Sequence, residues 1–265
     1  MNQQPPPIST GALLTPPPLQ RSPERVSLII PALNEADMLP RTLAALKSLD
    51  PLPAEIVVVD GGSTDATCAI AEAASVRLVR APGPSRPAQM NLGARAASGD
   101  IVCFLHADTW LPDDAIAILR SQFRDGRTIL TGFVSLIEGP GRTWWLLSLH
   151  NVLKTFYAPL FFRPHRFFSG TRLLFGDQAM ACRREDFLAV GGFDERNLVF
   201  EEADLCLKLG RRGRVRLINR AVRTSDRRIA KLGNLRATAL HFWIGLLWAL
   251  GASPRWLKRF YGDER

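Results

Sequence analysis

A short apolar strand that ends in a tight turn is the feature that most constrains the fold of this chain. Ile56–Val59 is an apolar, β-branched run of the kind that forms a strand buried on both faces. Asp60–Gly62 follows, and its glycines let the backbone turn where a Cβ would clash. Ser63–Asp65 can then cap a helix over residues 68–74. This order predicts Asp60 at the carboxyl edge of a parallel sheet, where open α/β folds bind ligands. An ordinary strand-to-helix turn is the alternative interpretation.

Strand and helix patterns alternate through the first half of the chain. Val26–Ile30 reads as a strand ended by Pro31, with Asn34 as the N-cap of a helix over 36–49. Ile101–Leu105 is another apolar strand. The alternation predicts an α/β fold with a Rossmann-like, mostly parallel sheet flanked by helices. The remaining expected strands cover 76–80, 128–137 and 179–182. The remaining expected helices cover 89–97, 144–162, 201–211 and 232–261, and a further helix is expected to start at 111–114.

The charge of the chain is unevenly distributed. Residues 1–120 carry 9 Lys and Arg against 12 Asp and Glu, whereas residues 121–265 carry 25 against 13. The net charge of +9 therefore belongs to the second half, which could meet phosphates, nucleic acid or an anionic membrane surface. The four cysteines form no C-x-x-C pair, which favours free thiols in a reducing compartment over a zinc site.

The composition predicts three segments. Residues 1–24 hold seven prolines and almost no charge, as in a disordered extension. Residues 25–228 are expected to form the main folded domain, and residues 229–265 a C-terminal amphipathic helical appendage. The start of the chain lacks the pattern of a secretory signal, and the most apolar run, 239–252, is shorter than the roughly 20 residues that span a bilayer. We therefore expect a cytoplasmic protein, with the inner face of the membrane as an alternative site.

Three acidic clusters are expected at element ends, and two of them at the same edge of the sheet. Asp60 and Asp108 follow buried strands, and the Glu201-Glu202 pair opens a helix with Asp204 one turn further on. Hard cations such as Mg²⁺ or Mn²⁺ take oxygen ligands and bridge phosphates. The acids therefore favour a site for a divalent cation and a phosphorylated ligand, and the third cluster could supply a carboxylate base. Taken alone, the third cluster is better explained by complementarity to the helix dipole.

Five segments together resemble the family 2 glycosyltransferases, which have the GT-A fold. They follow the order of that family over about residues 26–212, and as an ordered set they are far more specific than singly. The segments are Pro31–Glu35, Val59–Asp65, His106–Asp108, Gly191–Asp194 and Glu201–Glu202.

The resemblance implies an inverting, single-displacement hexosyl transfer from a nucleotide-sugar donor such as a UDP-, GDP- or dTDP-sugar. Asp108 matches the last acid of the Asp-x-Asp motif, which ligands the Mg²⁺ or Mn²⁺ on the diphosphate. Glu202 matches the acid that deprotonates the acceptor hydroxyl, with Glu201 and Asp204 as alternatives. Asp177 and Gln178 fall on the acceptor side. The residues expected around the donor are Pro31, Asn34, Glu35, Asp60, Gly61, Arg86, Gln89, Asn91 and His106.

This sequence departs from the family pattern at two positions. His106 replaces the first Asp of the motif, where it ligands the cation or only packs, and Glu202 stands where Asp is usual. The His-Ala-Asp variant, with Arg86–Asn91 and Gly176–Gln178, resembles one bacterial subgroup associated with arsenosugar biosynthesis. For Arg86, Gln89 and Asn91, loop capping is the alternative to donor binding.

The main alternative function is a non-catalytic protein that binds anions or a membrane through its basic C-terminal half. Residues 208–236 hold 11 basic residues and one acid. That stretch has no aromatic residue for base stacking, so nucleic acid is not expected as a partner. Arg223, Arg227 and Arg228 could hold a diphosphate or form a solvated face. Trp243 and Trp248 near Arg255 fit an interfacial helix or a buried core helix equally. A dinucleotide oxidoreductase is disfavoured, because no G-x-G-x-x-G follows the first strand.

Overall fold

The structure is a computed structural model that describes residues 24–162, 164–196 and 201–227, together with residues 243, 247, 252 and 256. The predicted extension over 1–24 and the predicted helix over 232–261 therefore lie almost entirely outside the described residues. Among the helices that are described, none is long and apolar enough to cross a membrane.

Strands and helices alternate along the described chain as the sequence predicts. The strands are β1 Val26–Ala32, β2 Glu55–Asp60, β3 Arg77–Arg80, β4 Ile101–Phe104, β5 Thr109–Trp110, β6 Thr128–Gly139, β7 Arg142–Thr143, β8 Ala181–Arg183 and β9 Arg214–Ser225. The helices are α1 Leu39–Leu46, α2 Thr67–Ala73, α3 Arg86–Ala96, α4 Ala115–Phe123, α5 Trp145–Phe162, α6 Pro164–Phe168, α7 Arg184–Ala189 and α8 Glu201–Leu209, with a 3₁₀ turn at Gly176–Gln178.

The strands form one nine-stranded sheet in the order β3-β2-β1-β4-β8-β6-β9-β5, with β7 paired to β6. The predicted parallel arrangement holds for β3, β2, β1 and β4. Beyond β4 the sheet is mixed, because β8 runs antiparallel to both β4 and β6, and β5 runs antiparallel to β9. The predicted α/β class is confirmed. The βα alternation of the first half predicts the parallel strands β1–β4, and β6 and β9 form a further parallel pair in the second half.

The sheet is covered on both faces, and β1 shows how the core divides. Its alternate side chains Leu28 and Ile30 join one buried cluster, which includes Leu39 of α1 and Ile116 of α4. Ile29 joins the opposite cluster with residues of α3, α7 and α8. This two-sided burial is why the parallel strands read as continuous apolar runs in the sequence. Of the four free cysteines, three are buried in these clusters and Cys68 is half-buried.

The predicted start of α1 is wrong, and the predicted cap of α2 is right only at Asp65. Asn34 does not cap α1, which begins five residues later, because Asn34 adopts a left-handed conformation (φ 53°) and its side chain turns to the β2–α2 loop. Pro31 does not end β1, which continues to Ala32. Ser63 and Thr64 bind Asn34 instead of capping α2, whereas Asp65 accepts a hydrogen bond from the Thr67 amide (2.9 Å) in the first turn.

A glycine sets the distance between α3 and the parallel strands. A Cβ on Gly93 would collide with the Cγ2 methyl of Ile29 on β1 and lie 3.0 Å from the Cγ2 methyl of Val59 on β2. Both methyl groups belong to fully buried, β-branched side chains with little freedom at χ1. The absence of a side chain at residue 93 is therefore what lets α3 lie against β1 and β2.

We expect Gly93→Ala to destabilise the fold. Alanine is the better helix former by about 1 kcal/mol, but overpacking a rigid core typically costs about 1–3 kcal/mol and outweighs that gain here. Denaturant unfolding should show a lower free energy of unfolding. Gly83→Ala is the matched control, since a Cβ there meets nothing within 4 Å. An unfolding free energy for Gly93→Ala at or above the wild-type value would contradict this packing account.

Candidate active site

The carboxylate of Asp60 lies at the carboxyl end of β2, as predicted, and organises the loop that follows. It accepts hydrogen bonds from the backbone amides of Gly62 (2.9 Å) and Ser63 (3.2 Å). Burial acts to raise the pKa of Asp60, but the hydrogen bonds from Ser63 and Gly62 outweigh it and the pKa is lowered. Gly62 adopts a φ of 95°, which glycine tolerates. The loop therefore presents a fixed anion.

The β1–α1 loop is fastened alongside this turn. The backbone amide of Asn34 donates to the Ser63 hydroxyl (2.9 Å), and the side-chain oxygen of Asn34 accepts from the backbone amide of Thr64 (2.8 Å). The Glu35 amide donates to the Thr67 hydroxyl (2.8 Å). The two loops therefore act as one rigid rim, which brings the predicted donor residues Asn34, Glu35 and Asp60 together.

An arginine joins this rim to the second predicted acid. Arg227, which follows β9, donates from Nη2 to both carboxylate oxygens of Glu35 (2.9 Å each) and lies 3.5 Å from Oδ2 of Asp108. Asp108 is only 7% exposed, and its carbonyl accepts a hydrogen bond from the Ser225 amide (3.1 Å). Arg227 is thus half-buried between two carboxylates rather than part of a solvated face.

The donor set around Asp108 fits a cation that a ligand helps to hold. The described part of the chain contains no group of three His, Cys, Asp or Glu residues that could hold a metal ion. Mg²⁺ and similar ions, however, bind through one or two carboxylates together with substrate phosphates and water. A single buried carboxylate matches that mode, whereas it does not match a dedicated protein cage.

Arg86, the first residue of α3, binds the third acidic cluster. Its Nε and Nη2 donate to Oε1 of Glu201 (3.1 and 2.8 Å), and Nη2 also donates to Oε1 of Glu202. Both carboxylates begin α8 and are almost fully buried, at 2% and 6% exposure. Arg86, predicted to contact a donor, is engaged instead with the two candidate bases.

His106 completes this cluster through Arg86. Its Nε2 lies 3.1 Å from Nη1 of Arg86. A guanidinium can only donate, so Nε2 is the acceptor in this contact. A Cβ on Gly176 would lie 2.5 Å from Glu202 Oε1 and 2.7 Å from His106 Nε2, so the backbone closes over both groups. In this arrangement Nε2 of His106 faces the Arg86 guanidinium and is not turned towards a metal ion.

The pKa of Glu202 suits a base that works near neutral pH. Burial raises the pKa of the Glu202 carboxyl to about 7, although the Arg86 guanidinium opposes this shift. The neighbouring Glu201 and Asp177 carboxylates raise the pKa further. General bases are most effective when their pKa lies close to the working pH. Glu202 therefore combines the burial, position and proton affinity of a catalytic carboxylate.

Lys154 is a site residue that the sequence analysis missed. Its Nζ lies 3.6 Å from the centroid of the Phe175 ring. Burial lowers the pKa of the Lys154 ammonium, and the Asp177 and Glu202 carboxylates oppose this shift. Asp177 in turn accepts a hydrogen bond from Asn151 (2.7 Å). Asn151 and Lys154 are spaced by one turn of α5, which is mostly apolar. That pair of polar residues on one side of the helix was the sequence signal that could have indicated the site.

Two residues predicted to bind the donor brace the backbone in the structure instead. Gln89 is buried and donates to the carbonyls of Ala32 and Val59, which ties the ends of β1 and β2 together. The side chain of Asn91 accepts a hydrogen bond from the Phe193 amide and donates one to the Phe193 carbonyl. These contacts favour the loop-capping interpretation.

Gln178 has the same character on the acceptor side. It is fully buried, accepts from the Phe175 amide (2.9 Å) and donates to the hydroxyl of Thr155 (3.2 Å). Gly61 is packed rather than exposed, since a Cβ there would lie 2.9 Å from Nε2 of Gln89. Both residues therefore support their loops from the protein interior.

Basic residues along α8 and β9 are largely neutralised by acids of the same chain. Asp204, the third candidate base, pairs with Lys208 (2.8 Å) one turn along α8. Arg223, a candidate phosphate ligand, pairs with Glu138 (3.4 Å). Further ion pairs join Arg212 to Asp186, Arg216 to Asp125 and Arg220 to Asp114. Much of the positive charge in the second half is therefore already balanced.

Known proteins resemble this chain in sequence and in fold. The model of the family described as glycosyl transferase family 2 matches residues 27–191, which is more than half of the chain. A pre-mycofactocin glycosyltransferase of Mycobacterium tuberculosis is 28% identical over 254 residues, covering 94% of this chain and 48% of the relative. The chain thus spans about half the length of the curated relatives it matches most fully.

Solved structures show the same architecture. A mannosyltransferase of Pyrobaculum calidifontis, in complex with GDP-Man and Mn²⁺, superposes with a TM-score of 0.63 at 21% identity, over 86% of this chain and 64% of that one. Glucosyl-3-phosphoglycerate synthase of Mycobacterium tuberculosis, in complex with Mn²⁺, UDP and its product, gives 0.56 at 21% identity, over 87% and 81%. The GT-A fold is confirmed by this likeness. On the family match, with the motifs in their order, the chain belongs to glycosyl transferase family 2.

Proposed function

We propose that the protein transfers a sugar from a nucleotide-sugar donor to an acceptor hydroxyl, with inversion at the anomeric carbon and with help from a divalent cation. The observation that carries the proposal is the buried Glu202, whose pKa is raised to about 7. Arg86 connects it to His106, two residues from Asp108, at the edge that also holds Asp60. The proteins of similar fold that were solved with GDP-Man or UDP, each with Mn²⁺, support a donor of this class.

The rim made by Asp60 and Asn34 is suited to the nucleoside. The Asp60 carboxylate is an acceptor that is held in place before any ligand arrives, and hydroxyl and imino groups of a nucleoside are donors. Glu35 adds a second acceptor, although Arg227 occupies it in this state. Pro31 supports the same rim from the end of β1, where it pairs with Val59.

Asp108 is the residue that would hold the cation, Mg²⁺ or Mn²⁺. A bound cation would offset the negative charge that develops on the departing diphosphate. Arg227, 3.5 Å from Asp108, is placed to add a fixed positive charge on the same side. Arg227 is therefore a better candidate for a diphosphate contact than the more exposed Arg223.

Glu202 is the proposed base. Its carboxylate takes the proton of the acceptor hydroxyl while the acceptor oxygen forms its bond to the anomeric carbon. The bond from that carbon to the phosphate oxygen breaks, and the nucleoside diphosphate leaves with the bonding electrons. Arg86 positions the carboxylate, and Lys154 and Asp177 line the adjoining acceptor side.

Two finer assignments stay predictions. The arsenosugar subgroup depends only on His106–Asp108, Arg86–Asn91 and Gly176–Gln178, and the catalytic unit is proposed to extend over 25–228. A non-catalytic anion-binding protein is a weaker proposal, because acids of the same chain pair with many of the basic residues that it would use.

We expect Glu202→Gln to lower donor turnover by roughly 10²–10⁴-fold, the usual contribution of a general base. The amide keeps the size of the side chain but cannot accept the proton, so the KM for the donor should change little. Release of nucleoside diphosphate from a panel of UDP-, GDP- and dTDP-sugars measures this effect, with proton NMR reporting the anomer of the released sugar. Asp204→Asn is the matched control and should stay within a few-fold of wild type. Equal losses in both variants, or retention of the donor's anomeric configuration, would contradict the assignment.

We expect Asp108→Asn to abolish the cation-dependent part of nucleotide binding. A ligand that binds only the native state raises its apparent stability, so a matching nucleoside diphosphate with Mn²⁺ should raise the Tm of the wild type. The variant should lose the difference between samples with and without Mn²⁺. Asp113→Asn, at an exposed acid on the neighbouring turn, should keep it. A cation-dependent shift that persists in Asp108→Asn would remove Asp108 from the cation site.

A further inference from the structure

Helices α5 and α6 expose an apolar face that the proposed chemistry does not use. Eight of the twelve large hydrophobic side chains that are exposed among the described residues lie between 145 and 168. Five of them recur at intervals of three and four residues, which places them along one side of α5. These five are Leu146, Leu149, Leu153, Phe156 and Leu160.

The opposite side of α5 is committed to the protein interior. Asn151 contacts Asp177, Lys154 stacks on Phe175, and Thr155 is fully buried against Gln178. These positions lie about half a turn of the helix away from the leucine stripe. The helix therefore lies along the surface, with its polar side at the candidate active site and its apolar side outward.

The segment of chain that forms this face carries charge of one sign. Residues 139–176 contain no Asp or Glu and five basic residues, of which Arg142, Arg166 and Arg172 belong to the described part outside the site. A cavity of 510 Å³ adjoins the face and combines aromatic rings with guanidinium groups. Its principal lining residues are Phe156, Phe167, Phe168, Arg172, Arg214 and Arg216.

We propose that this face, formed by α5 and α6, docks on an anionic membrane surface. Helices that lie in a bilayer interface combine Trp, Phe and Leu on one side with flanking Lys and Arg, and anionic lipid strengthens their binding. Trp145 and Phe168, which are 67% and 79% exposed, extend the apolar surface at its two ends. A second copy of the chain fits less well, because pairing two such faces would bring together two segments, 139–176 of each copy, that carry basic residues and no Asp or Glu.

Docking in this way would set the candidate active site beside the lipid surface. The polar side of α5 reaches the surroundings of Glu202, so the acceptor side would lie one helix diameter, about 10 Å, from the membrane-facing side. The docking itself does not depend on the proposed transfer reaction and is measured without it.

Flotation of the purified full chain with vesicles tests the proposal. We expect binding to vesicles of phosphatidylcholine and phosphatidylglycerol, weaker binding to phosphatidylcholine alone, and loss of binding as salt shortens the Debye length from about 10 Å at 0.1 M to about 3 Å at 1 M. The double variant Leu146→Ser/Leu149→Ser should lose at least about tenfold in vesicle affinity, since each buried methylene contributes about 0.8 kcal/mol.

Leu52→Ser/Leu188→Ser is the matched control, because both leucines are exposed elsewhere on the surface, at 59% and 39%. It should float like the wild type, and unchanged Tm values should show that both double variants fold. The proposal is overturned if the wild type stays unbound or if both double variants float equally. A dimer that Leu146→Ser/Leu149→Ser abolishes, without vesicle binding by the wild type, would assign the face to a second copy instead.

Discussion

The ion pairs of Arg86 with Glu201 and Glu202 are the interaction on which the candidate site depends. They join the first turn of α3 to the first turn of α8, across 115 residues of sequence. Two buried carboxylates side by side would repel each other and lose hydration, so they need a cation close by. Arg86 supplies that cation, and its own position is held by packing of α3 against the parallel strands over Gly93. The packing of a glycine and the placement of the base are therefore linked.

The same cluster explains why the pKa of Glu202 lies near neutral pH and not at the usual value of a carboxyl group. Burial favours the protonated carboxyl, Arg86 favours the carboxylate, and the pKa settles at about 7. A base with a lower pKa would be ionised but weak, and one with a higher pKa would be protonated at neutral pH. His106 accepts a hydrogen bond from Arg86 at its Nε2. A histidine in place of the usual Asp removes one negative charge next to two carboxylates.

The sequence was most informative where local chemistry decides structure. The β-branched run before Asp60 and the apolar run of β4 predicted parallel strands whose ends carry the acids, and both are present. Local capping rules failed at Asn34, because its side chain binds a loop 30 residues away instead of its own helix. Gln89 and Asn91 looked like polar ligands in sequence, yet both satisfy buried backbone groups. Contacts of this kind depend on tertiary packing, which no local pattern encodes.

Other features depended on residues too far apart for pattern reasoning. Arg227 meets Glu35 across 192 residues and turns an apparent basic surface into part of the site. Lys154 lies on a helix that was predicted from its aromatic residues and leucines, without a role for its polar residues. The antiparallel strand β8 enters the sheet between β4 and β6, which the alternation of strands and helices in the first half does not predict.

The pH dependence of donor turnover tests the central claim, that Glu202 is the base, most directly. A base works when it is deprotonated, and burial raises the pKa of Glu202 to about 7. We therefore predict that kcat/KM in the free protein rises with pH through about 7 and then levels, and that Glu202→Gln removes this rise and leaves a low, flat profile. A wild-type profile that is already level below pH 5, or a rise near pH 7 that persists in Glu202→Gln, would contradict the claim.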